Sequence, residues 1–335
     1  MAIGKVITLS HGGGGIDSRE LVEMISEMLK NPLLSPLEDS SIIGVGGGKI
    51  AYTTDGFVVK PPFFPGGDIG KLCVCGTVND LAVMGAKPIA LSLSMIIEEG
   101  FEIEKLKTII KSIKDTAGGI PIATGDTKVV EKGSVDGIFV TTSGIGLQHD
   151  STNPSASSIL PGDVFVATGS IGRHGAAIMA AREDLGFAGD LVSDVARLDE
   201  PLLTAFSEFG NSIRTCRDIT RGGLSAIVSE FAISSNVGVE LYEDDIPIDS
   251  DVSGICSALG IDPLNLACEG SALMAVSPDV VGDVIATLQK FDLTNRARMI
   301  GKATSDHGGK TYLKTSIGGK RILEPPIGEL LPRIC

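Results

Sequence analysis

Residues 50–84 read IAYTTDGFVVKPPFFPGGDIGKLCVCGTVNDLAVM and combine both kinds of secondary structure in one short span. Residues 50–54 and 57–59 are rich in β-branched and aromatic side chains, which predicts two strands. Residues 69–84 are apolar and small, which predicts a helix. Strands and helices are mixed in the same way farther along the chain, without the regular βαβ order of a doubly wound sheet, and this favours an α+β fold.

The rest of the chain divides into two domains and a tail. Asp17-Ser-Arg-Glu20 resembles a capping box and predicts a first helix that ends at Asn31-Pro32. The polar stretch QHDSTNPSASSILPG at 148–162 predicts an interdomain linker. We therefore expect domains at 1–150 and 162–320. In the second domain the pattern predicts strands at 164–168, 271–276, 298–302 and 311–315 and helices near 175–184, 198–209, 222–235 and 279–291.

The last segment, 321–335, is expected to be a flexible tail that carries Cys335. It contains EPPIGELLPRIC, with three prolines and no helical run. Such a segment is extended and partly mobile, and in a polyproline conformation it could reach roughly 40 Å.

The overall charge restricts the partners. Lys and Arg number 28 against 42 Asp and Glu, a net charge of −14, whereas nucleic-acid and anionic-membrane binders carry basic patches. The most apolar long stretch, 76–97, is interrupted by Asn79, Asp80 and Lys87, and the N-terminal residues lack the regions of a signal peptide. We expect no nucleic acid, no membrane span and a cytoplasmic location.

Cysteine usage points to one residue. Six cysteines occur without a CxxC pair, so neither a disulfide framework nor a structural zinc site is indicated. Five are expected to be small core residues. The sixth, Cys335, stands at the end of the sequence, where core packing does not explain it. Use of its thiol would require a nearby base or cation, for which Glu269 and Arg333 are candidates; the alternative is an accidental cysteine.

Carboxylates recur beside glycines or at expected strand ends. They occur in TTDG at 53–56, GGDIG at 66–70, ND at 79–80, GDTK at 125–128 and DITRGG at 218–223. Several Asp side chains on tight turns suit Mg²⁺, which bridges carboxylates to phosphates. Lys71 and Lys128 lie beside two of these motifs and could pair phosphate oxygens. The alternative is that Gly-Asp dipeptides are ordinary turns.

Two histidines and the segment 218–223 each allow a functional and a structural interpretation. No Walker or GxGxxG motif occurs in a suitable context. His11 and His174 could bind phosphate or shuttle protons, or could be satisfied turn residues. The segment 218–223 could present backbone N–H groups to an anion, or could be a plain helix start.

Together these motifs resemble the HypE family of hydrogenase maturation factors. The family lies in the superfamily of ATP-dependent aminoimidazole ribonucleotide synthetases and selenophosphate synthetases. The resemblance runs from about residue 11 to residue 335. It is carried by TTDGFVVKPPFFPGGDIGK, CGTVNDLAVMGAKP, ATGDTKVVEKG, GSIGRHG, DITRGG, NLACEG and PRIC.

The resemblance implies a two-domain PurM-like α+β fold, an α/β second domain, and a homodimer whose N-terminal strands form a barrel. It places Asp55, Asp80 and Asp218, with Asp39, at Mg²⁺ and phosphates. Further nucleotide contacts are implied at Asp68, Lys71, Asp126, Thr127 and Lys128. Cys335 matches the substrate-carrying thiol and Glu269 the acid–base residue. Cys268 departs from the family, where Asn commonly precedes that Glu, which puts in doubt any contact of that Asn with the tail.

The implied reaction uses ATP and Mg²⁺. Cys335 receives a carbamoyl group from the carbamoyltransferase HypF, and ATP-dependent dehydration converts the thiocarbamate to a thiocyanate. The cyanide then passes to iron on a HypC–HypD complex. Two alternatives stay open: a superfamily phosphoryl-transfer enzyme acting on a free small molecule, and an ATP-dependent docking scaffold without chemistry.

Overall fold

The chain folds around two sheets. The structure, a computed structural model, describes residues 6–34, 37–149, 151–183, 191–326, 328 and 333–335. Within those residues the helices are α1 Ile16–Met28, α2 Ile69–Val83, α3 Ile103–Ala117, α4 Arg173–Glu183, α5 Asp199–Phe209, α6 Gly223–Ser235, α7 Ser250–Leu259 and α8 Val281–Leu288. The first seven strands are β1 Ser41–Val45, β2 Gly48–Phe57, β3 Phe63–Phe64, β4 Gly67–Asp68, β5 Ala86–Glu98, β6 Ile122–Val130 and β7 Ile138–Gln148. The remaining strands are β8 Val164–Ala167, β9 Ile213–Asp218, β10 Gly238–Tyr242, β11 Ala272–Val276, β12 Arg298–Thr304, β13 Thr311–Lys314 and β14 Lys320–Ile322.

The N-terminal sheet has the strand order β1-β2-β7-β5-β6. Its neighbours are antiparallel except for β5 and β6, which are parallel. Helix α3 connects those two strands, since parallel neighbours need a crossover. Helices α2 and α3 cover one face, while the other face exposes apolar side chains: Tyr52, Ile89, Ile96, Ile145 and Leu147.

Helix α2 is the centre of the molecule. Asp68 caps its N-terminus by accepting from the N–H groups of Gly70 and Lys71, at 2.7 and 3.0 Å. The helix is apolar on all sides and buried over nearly its whole length, because it packs on the N-terminal sheet and also on α5 and β9 of the second domain. Side chains near its C-terminal end therefore lie between the two domains.

The second sheet has the order β14-β13-β10-β12-β8-β11-β9 and is mixed, with β10 parallel to β13. Successive residues of β8 and β11 point to opposite faces, and both faces are buried. Phe165 stacks on Phe231 of α6 on one face, and Val166 packs near Leu202 of α5 on the other. The two domains and the α+β mixture agree with the expectation from sequence.

Several local predictions were wrong. Asp17 lies inside α1, whose N-cap is Gly15 without a side-chain hydrogen bond, so the capping box does not form. The expected turn at Asp55-Gly56 lies within β2, because this segment pairs with Thr142 and Thr141 of β7. Asp126 likewise lies within β6, whereas Asp80 lies within α2, the helix that the sequence predicted over residues 69–84.

The linker and the tail are also more ordered than expected. Ala156 and Ile159 are buried in the core of the second domain, and Glu38 accepts a hydrogen bond from the Ala156 N–H at 3.0 Å. In the tail, β14 pairs with β13 and Ile334 is buried. The expected mobile segment falls partly on residues 327 and 329–332, which lie outside the described residues.

No helix among the described residues has the length and apolar character needed to cross a membrane.

His174 is a fully buried residue in the first turn of α4. Its Nε2 lies 2.9 Å from the Ile334 carbonyl oxygen and its Nδ1 lies 2.7 Å from Ser193 Oγ. The Val195 N–H donates to the same Ser193 Oγ at 3.0 Å, so the serine hydroxyl hydrogen is free for Nδ1. The neutral imidazole therefore donates to Ile334 through Nε2. Burial lowers the pKa of His174 to about 4.

We expect His174 to make the protein less stable in mild acid. In the unfolded chain this histidine gains a proton below about pH 6.5, whereas in the folded chain it gains one only near pH 4. The unfolded chain therefore binds more protons between these pH values, and the free energy of unfolding falls as the pH falls. Between pH 7 and pH 5 the parent should lose about 2 kcal/mol more than His174→Gln, which keeps a donor but does not titrate. Urea denaturation at both pH values measures this difference, and identical pH dependence in the two proteins would contradict it.

Candidate active site at the junction of the two domains

Three carboxylates meet where α2 faces the second sheet. Asp39 precedes β1, Asp80 lies on α2 and Asp218 ends β9, and each offers an oxygen within 4.8 Å of the others. Hydrogen bonds fix Asp80: Thr53 Oγ1 donates to its Oδ2 at 2.6 Å, and Ser40 Oγ donates to its backbone oxygen at 2.9 Å. Elements from both domains thus build one acidic cluster.

Burial and mutual repulsion raise the pKa values of the carboxylates in this cluster. Burial raises the pKa of Asp39 to about 7, although the guanidinium of Arg217 acts against it. The pKa values of Asp80 and Asp218 are raised well above their usual range, first by burial and then by the neighbouring carboxylates. Asp55 on β2 lines the same cleft, and burial also raises its pKa. Like charges this close do not all ionise without a compensating positive charge.

The donor set fits a hard divalent cation. Mg²⁺ prefers carboxylate oxygens, and the cluster supplies three within reach of one point. Asp39 Oδ2 is buried and has no hydrogen-bond partner, although buried polar atoms are normally paired. The predicted metal residues Asp39, Asp80 and Asp218 are therefore brought together, with Asp55 beside them.

Glu269 lines the same cleft and is buried. Its backbone is held tightly: its N–H donates to Asp194 Oδ1 at 3.1 Å, and its carbonyl accepts from the Ala196 N–H at 3.2 Å. Its side-chain Oε1 has no partner. Burial first, then the carboxylates of Asp218, Asp194 and Asp55, raise the pKa of Glu269 well above its usual range.

Cys335 reaches this cleft from the tail. It lines the cavity together with Asp55, Asp80, Asp218 and Glu269. Burial, with the nearby carboxylates, raises the pKa of its thiol to about 12, while Arg221 acts in the opposite direction. The sequence had suggested Arg333 as the cation beside this thiol; instead its guanidinium donates to the Val58 carbonyl and to Asp136, at 2.8 and 2.6 Å. The electrostatic partner of the thiol is Arg221.

Cys268 is a small residue of the buried core, as the sequence predicted. Its Sγ is buried and accepts from the Gly172 N–H at 3.1 Å. The side chain therefore secures the loop before α4 and does not point along the tail.

Five other predicted residues do not line this cleft within the described part of the chain. Asp68 caps α2, and Lys71 Nζ donates to the Gly66 carbonyl at 3.0 Å. Asp126, Thr127 and Lys128 lie on the edge strand β6, where Lys128 pairs with Asp126 at 2.6 Å. Two strands separate β6 from β2, a distance of roughly 14 Å at ordinary strand spacing.

Sequence reasoning missed the residues that hold the site together. Asn79 Oδ1 accepts from the Leu198 N–H at 2.7 Å, and its Nδ2 donates to the Ala196 carbonyl at 3.1 Å. Asp194 holds the backbone of Glu269. Asn79 stood inside a quoted motif, whereas Asp194 carried no local signal, because its role depends on a contact across 75 residues.

Comparison with known proteins identifies the family. The model for the N-terminal domain of AIR synthase related proteins matches residues 37–148, and the model for their C-terminal domain matches residues 161–314. The chain is 44% identical over 332 residues to the carbamoyl dehydratase HypE of Rhizobium leguminosarum bv. viciae. The aligned region covers 98% of this chain and 95% of that protein.

Solved structures agree. The crystal structure of a HypE–HypF complex contains a chain 41% identical to this one, with a TM-score of 0.87, covering 91% of this chain and 99% of that one. The crystal structure of HypE in complex with ATP is 37% identical, with a TM-score of 0.83, covering 98% and 100%. With this sequence identity over nearly its full length, the chain belongs to the HypE family of carbamoyl dehydratases within the AIR synthase related proteins.

Proposed function

We propose that this protein uses ATP to dehydrate a carbamoyl group carried on Cys335 to a thiocyanate. The observation that carries the proposal is that Cys335 lies in one cleft with the carboxylate cluster and Glu269. Relatives that share its sequence over nearly the full length are named carbamoyl dehydratase, and one similar protein has been solved with ATP. A free-substrate enzyme or a scaffold would not need its own thiol in the cleft.

The proposed reaction balances without a redox partner. The thiocarbamate oxygen is a poor leaving group, so it first receives the terminal phosphoryl group of ATP. The carbon–oxygen bond then breaks, the oxygen departs with phosphate, and both hydrogens leave the nitrogen as protons. The products are the S-cyano cysteine, ADP and inorganic phosphate. The site must therefore hold phosphate near the tail and accept protons.

The acidic cluster is the proposed place for the metal and the phosphates. Mg²⁺ held by Asp39, Asp80 and Asp218, with Asp55, would offset both the phosphate charge and the charge of the cluster itself. Glu269, whose Oε1 has no hydrogen-bond partner, is then available as a carboxylate to take a proton from the carbamoyl nitrogen. Its backbone contacts to Asp194 and Ala196 fix its position.

The tail is proposed to receive the carbamoyl group outside the cleft. The docked thiol has a pKa of about 12, so it is almost wholly protonated and a poor nucleophile at neutral pH. The uncharged carbamoyl group returns to an acidic cavity more easily than a thiolate would. We propose HypF as the donor, since a similar chain has been solved in a HypE–HypF complex, and a HypC–HypD complex as the acceptor of the cyanide.

A homodimer is the proposed assembly. The uncovered face of the N-terminal sheet exposes a row of apolar residues, including Tyr52, Ile145 and Leu147, and apolar surface of this kind marks interfaces. Two such faces packed together would form the barrel. Residues 126–128 lie away from the cleft of their own chain, so we propose that they contact the nucleotide bound by the other copy.

Cys335→Ala should abolish all modification of the tail while ATP binding survives. The substitution removes one thiol, so stability should change by less than about 1 kcal/mol. Mass spectrometry of the C-terminal peptide, after incubation with a carbamoyl donor and ATP, measures the outcome. Cys256→Ala, which removes a buried thiol on α7, is the control and should still be modified. A Cys335→Ala protein that gains the carbamoyl mass would place the acceptor elsewhere.

Asp80→Asn should weaken binding of Mg-ATP, because it removes one charge and one ligand oxygen from the cluster. Carbamoylation of Cys335 should be little affected. Isothermal calorimetry tests this, with Asp115→Asn on the exposed surface of α3 as the matched control. Equal Mg-ATP affinity in the two variants would exclude Asp80 from the metal site.

Glu269→Gln should slow thiocyanate formation by about 10²–10⁴-fold, the usual contribution of a general base. The amide keeps the shape of the side chain but removes its basicity, so ATP binding should survive. Single-turnover conversion of the carbamoylated protein is the measurement. Conversion at the parent rate would mean that Glu269 only supports the turn before Gly270.

Mixing two inactive variants tests the dimer. Lys128→Ala and Asp80→Asn should each be inactive alone. After subunit exchange half of the dimers are mixed, each with one intact site, so activity should recover to about a quarter of the parent value. A mixture as inactive as its components would contradict the assignment of residues 126–128 to the other copy's site.

A further inference from the structure

The last three residues are held by hydrogen bonds to their main-chain carbonyl groups. The Arg333 carbonyl accepts from the Lys60 N–H at 3.1 Å and from Arg182, the Ile334 carbonyl accepts from His174 Nε2 at 2.9 Å, and the Cys335 carbonyl accepts from the Val58 N–H at 3.0 Å. The pairing of 58 with 335 and of 60 with 333 is antiparallel. The tripeptide therefore lies against the segment 58–60 that follows β2 and is held through its carbonyls, but it forms no regular strand, because Arg333 has a left-handed φ of 55°.

The side chains of the tripeptide complete the contact. Arg333 reaches back to the Val58 carbonyl and Asp136, and its guanidinium lies 5.4 Å from the centre of the Phe139 ring. Ile334 is 7% exposed and belongs to a buried apolar cluster formed mainly by α4 and α7, with members Ala176, Ala177, Val252, Ile255, Leu266 and Ala267. The thiol projects into the acidic cleft.

This arrangement is that of a peptide-recognition groove. In such grooves main-chain hydrogen bonds supply affinity, and pockets for particular side chains supply specificity. Here every carbonyl of the tripeptide has a hydrogen-bond donor, the Ile334 side chain is buried, and the Arg333 side chain forms an ion pair with Asp136. The donors come from two places, the segment 58–60 after β2 and helix α4, where His174 is itself held by Ser193.

We propose that the groove formed by Val58, Lys60, His174 and Arg182 is a peptide-binding site for an Arg-Ile-Cys segment, and that it accepts this segment from a separate molecule. Its ligand is a peptide ending in Arg-Ile-Cys. A peptide whose cysteine carries a carbamoyl group is then dehydrated in trans, a step that rests on the proposed function.

The chain's own tail normally hides this activity. A tethered segment is present at an effective concentration on the order of millimolar, so a free peptide competes poorly with it. A full-length chain whose own tail no longer fits should expose the groove. Ile334→Asp combined with Cys335→Ser does this, because a carboxylate in the apolar cluster is strongly disfavoured.

Binding is tested first. A fluorescein-labelled peptide of residues 328–335, with a free thiol, is titrated with the Ile334→Asp/Cys335→Ser chain, and anisotropy is recorded. We expect saturable binding that weakens about a hundredfold or more when the peptide's own isoleucine is aspartate. The parent chain should bind the same peptide much more weakly, because its tail occupies the groove. Absence of binding, or equal binding of the two peptides, would overturn the proposal.

The role of His174 is tested with two further substitutions in the same chain. His174→Phe keeps a ring but removes the donor to the Ile334 carbonyl and should weaken binding by about tenfold. His174→Gln keeps a donor near Nε2 and should retain most of the affinity. A global loss of fold would affect both, whereas equal binding by the two folded variants would exclude His174 as a recognition residue.

Catalysis in trans is tested last. The S-carbamoyl form of the peptide is incubated with ATP, Mg²⁺ and the double variant, and its mass is followed; we expect conversion to the S-cyano peptide. The parent chain carbamoylated on Cys335 is run in parallel. If the parent converts its own tail but the bound peptide is not converted, catalysis in trans is excluded. If the parent fails as well, the proposed function itself is at fault, and the binding result stands separately.

Discussion

Burial of several carboxylates at one point is the constraint on which the rest of this structure depends. Asp39, Asp80 and Asp218 come within 4.8 Å of one another, and burial together with mutual repulsion raises the pKa of each. Such a cluster is costly to fold unless protons or cations compensate it. Arg217, which pairs with Glu38 and Glu230 at 3.2 and 2.6 Å, supplies part of that positive charge.

The architecture can be understood as the support for this cluster. Helix α2 has apolar surface on all sides, so it packs between the N-terminal sheet and the second domain. Asp80 is therefore carried to the junction, where β9 delivers Asp218. Asn79, the neighbour of Asp80, bonds to the segment that fixes Glu269. One helix thus carries Asp80 into the cluster and, through Asn79, supports the segment beside Glu269.

The same electrostatics explain the chemistry of the tail. A thiol held among carboxylates keeps its proton, whereas an uncharged carbamoyl derivative fits the same cavity without that penalty. The main-chain contacts of residues 333–335 do not depend on the state of the sulfur. Docking can therefore be common to the free and loaded tail, while the reactivity of the sulfur differs between them.

The acidic motifs were found from sequence, but the reason given for them was wrong. Asp55 and Asp126 were taken to lie on tight turns because each adjoins a glycine, yet both lie inside strands. The glycine signal is local, while strand pairing depends on β7 and β5, which come from distant parts of the chain. The same limitation assigned Arg333 to the thiol, although its partners, Val58 and Asp136, are some 200 or more residues away in sequence.

The sequence alone determined the composition of the elements: the apolar helix predicted at 69–84, the strands predicted at 164–168 and 271–276, the two-domain α+β order, and the motifs that indicate the family. These follow from periodicity and residue type, which are local properties. Only the tertiary structure decided which carboxylates meet, that Asp68 caps a helix, that residues 126–128 lie outside the cleft of their own chain, and that His174 holds the tail. Those outcomes depend on contacts between residues far apart in the chain, and no local pattern encodes the distance between two side chains that folding brings together.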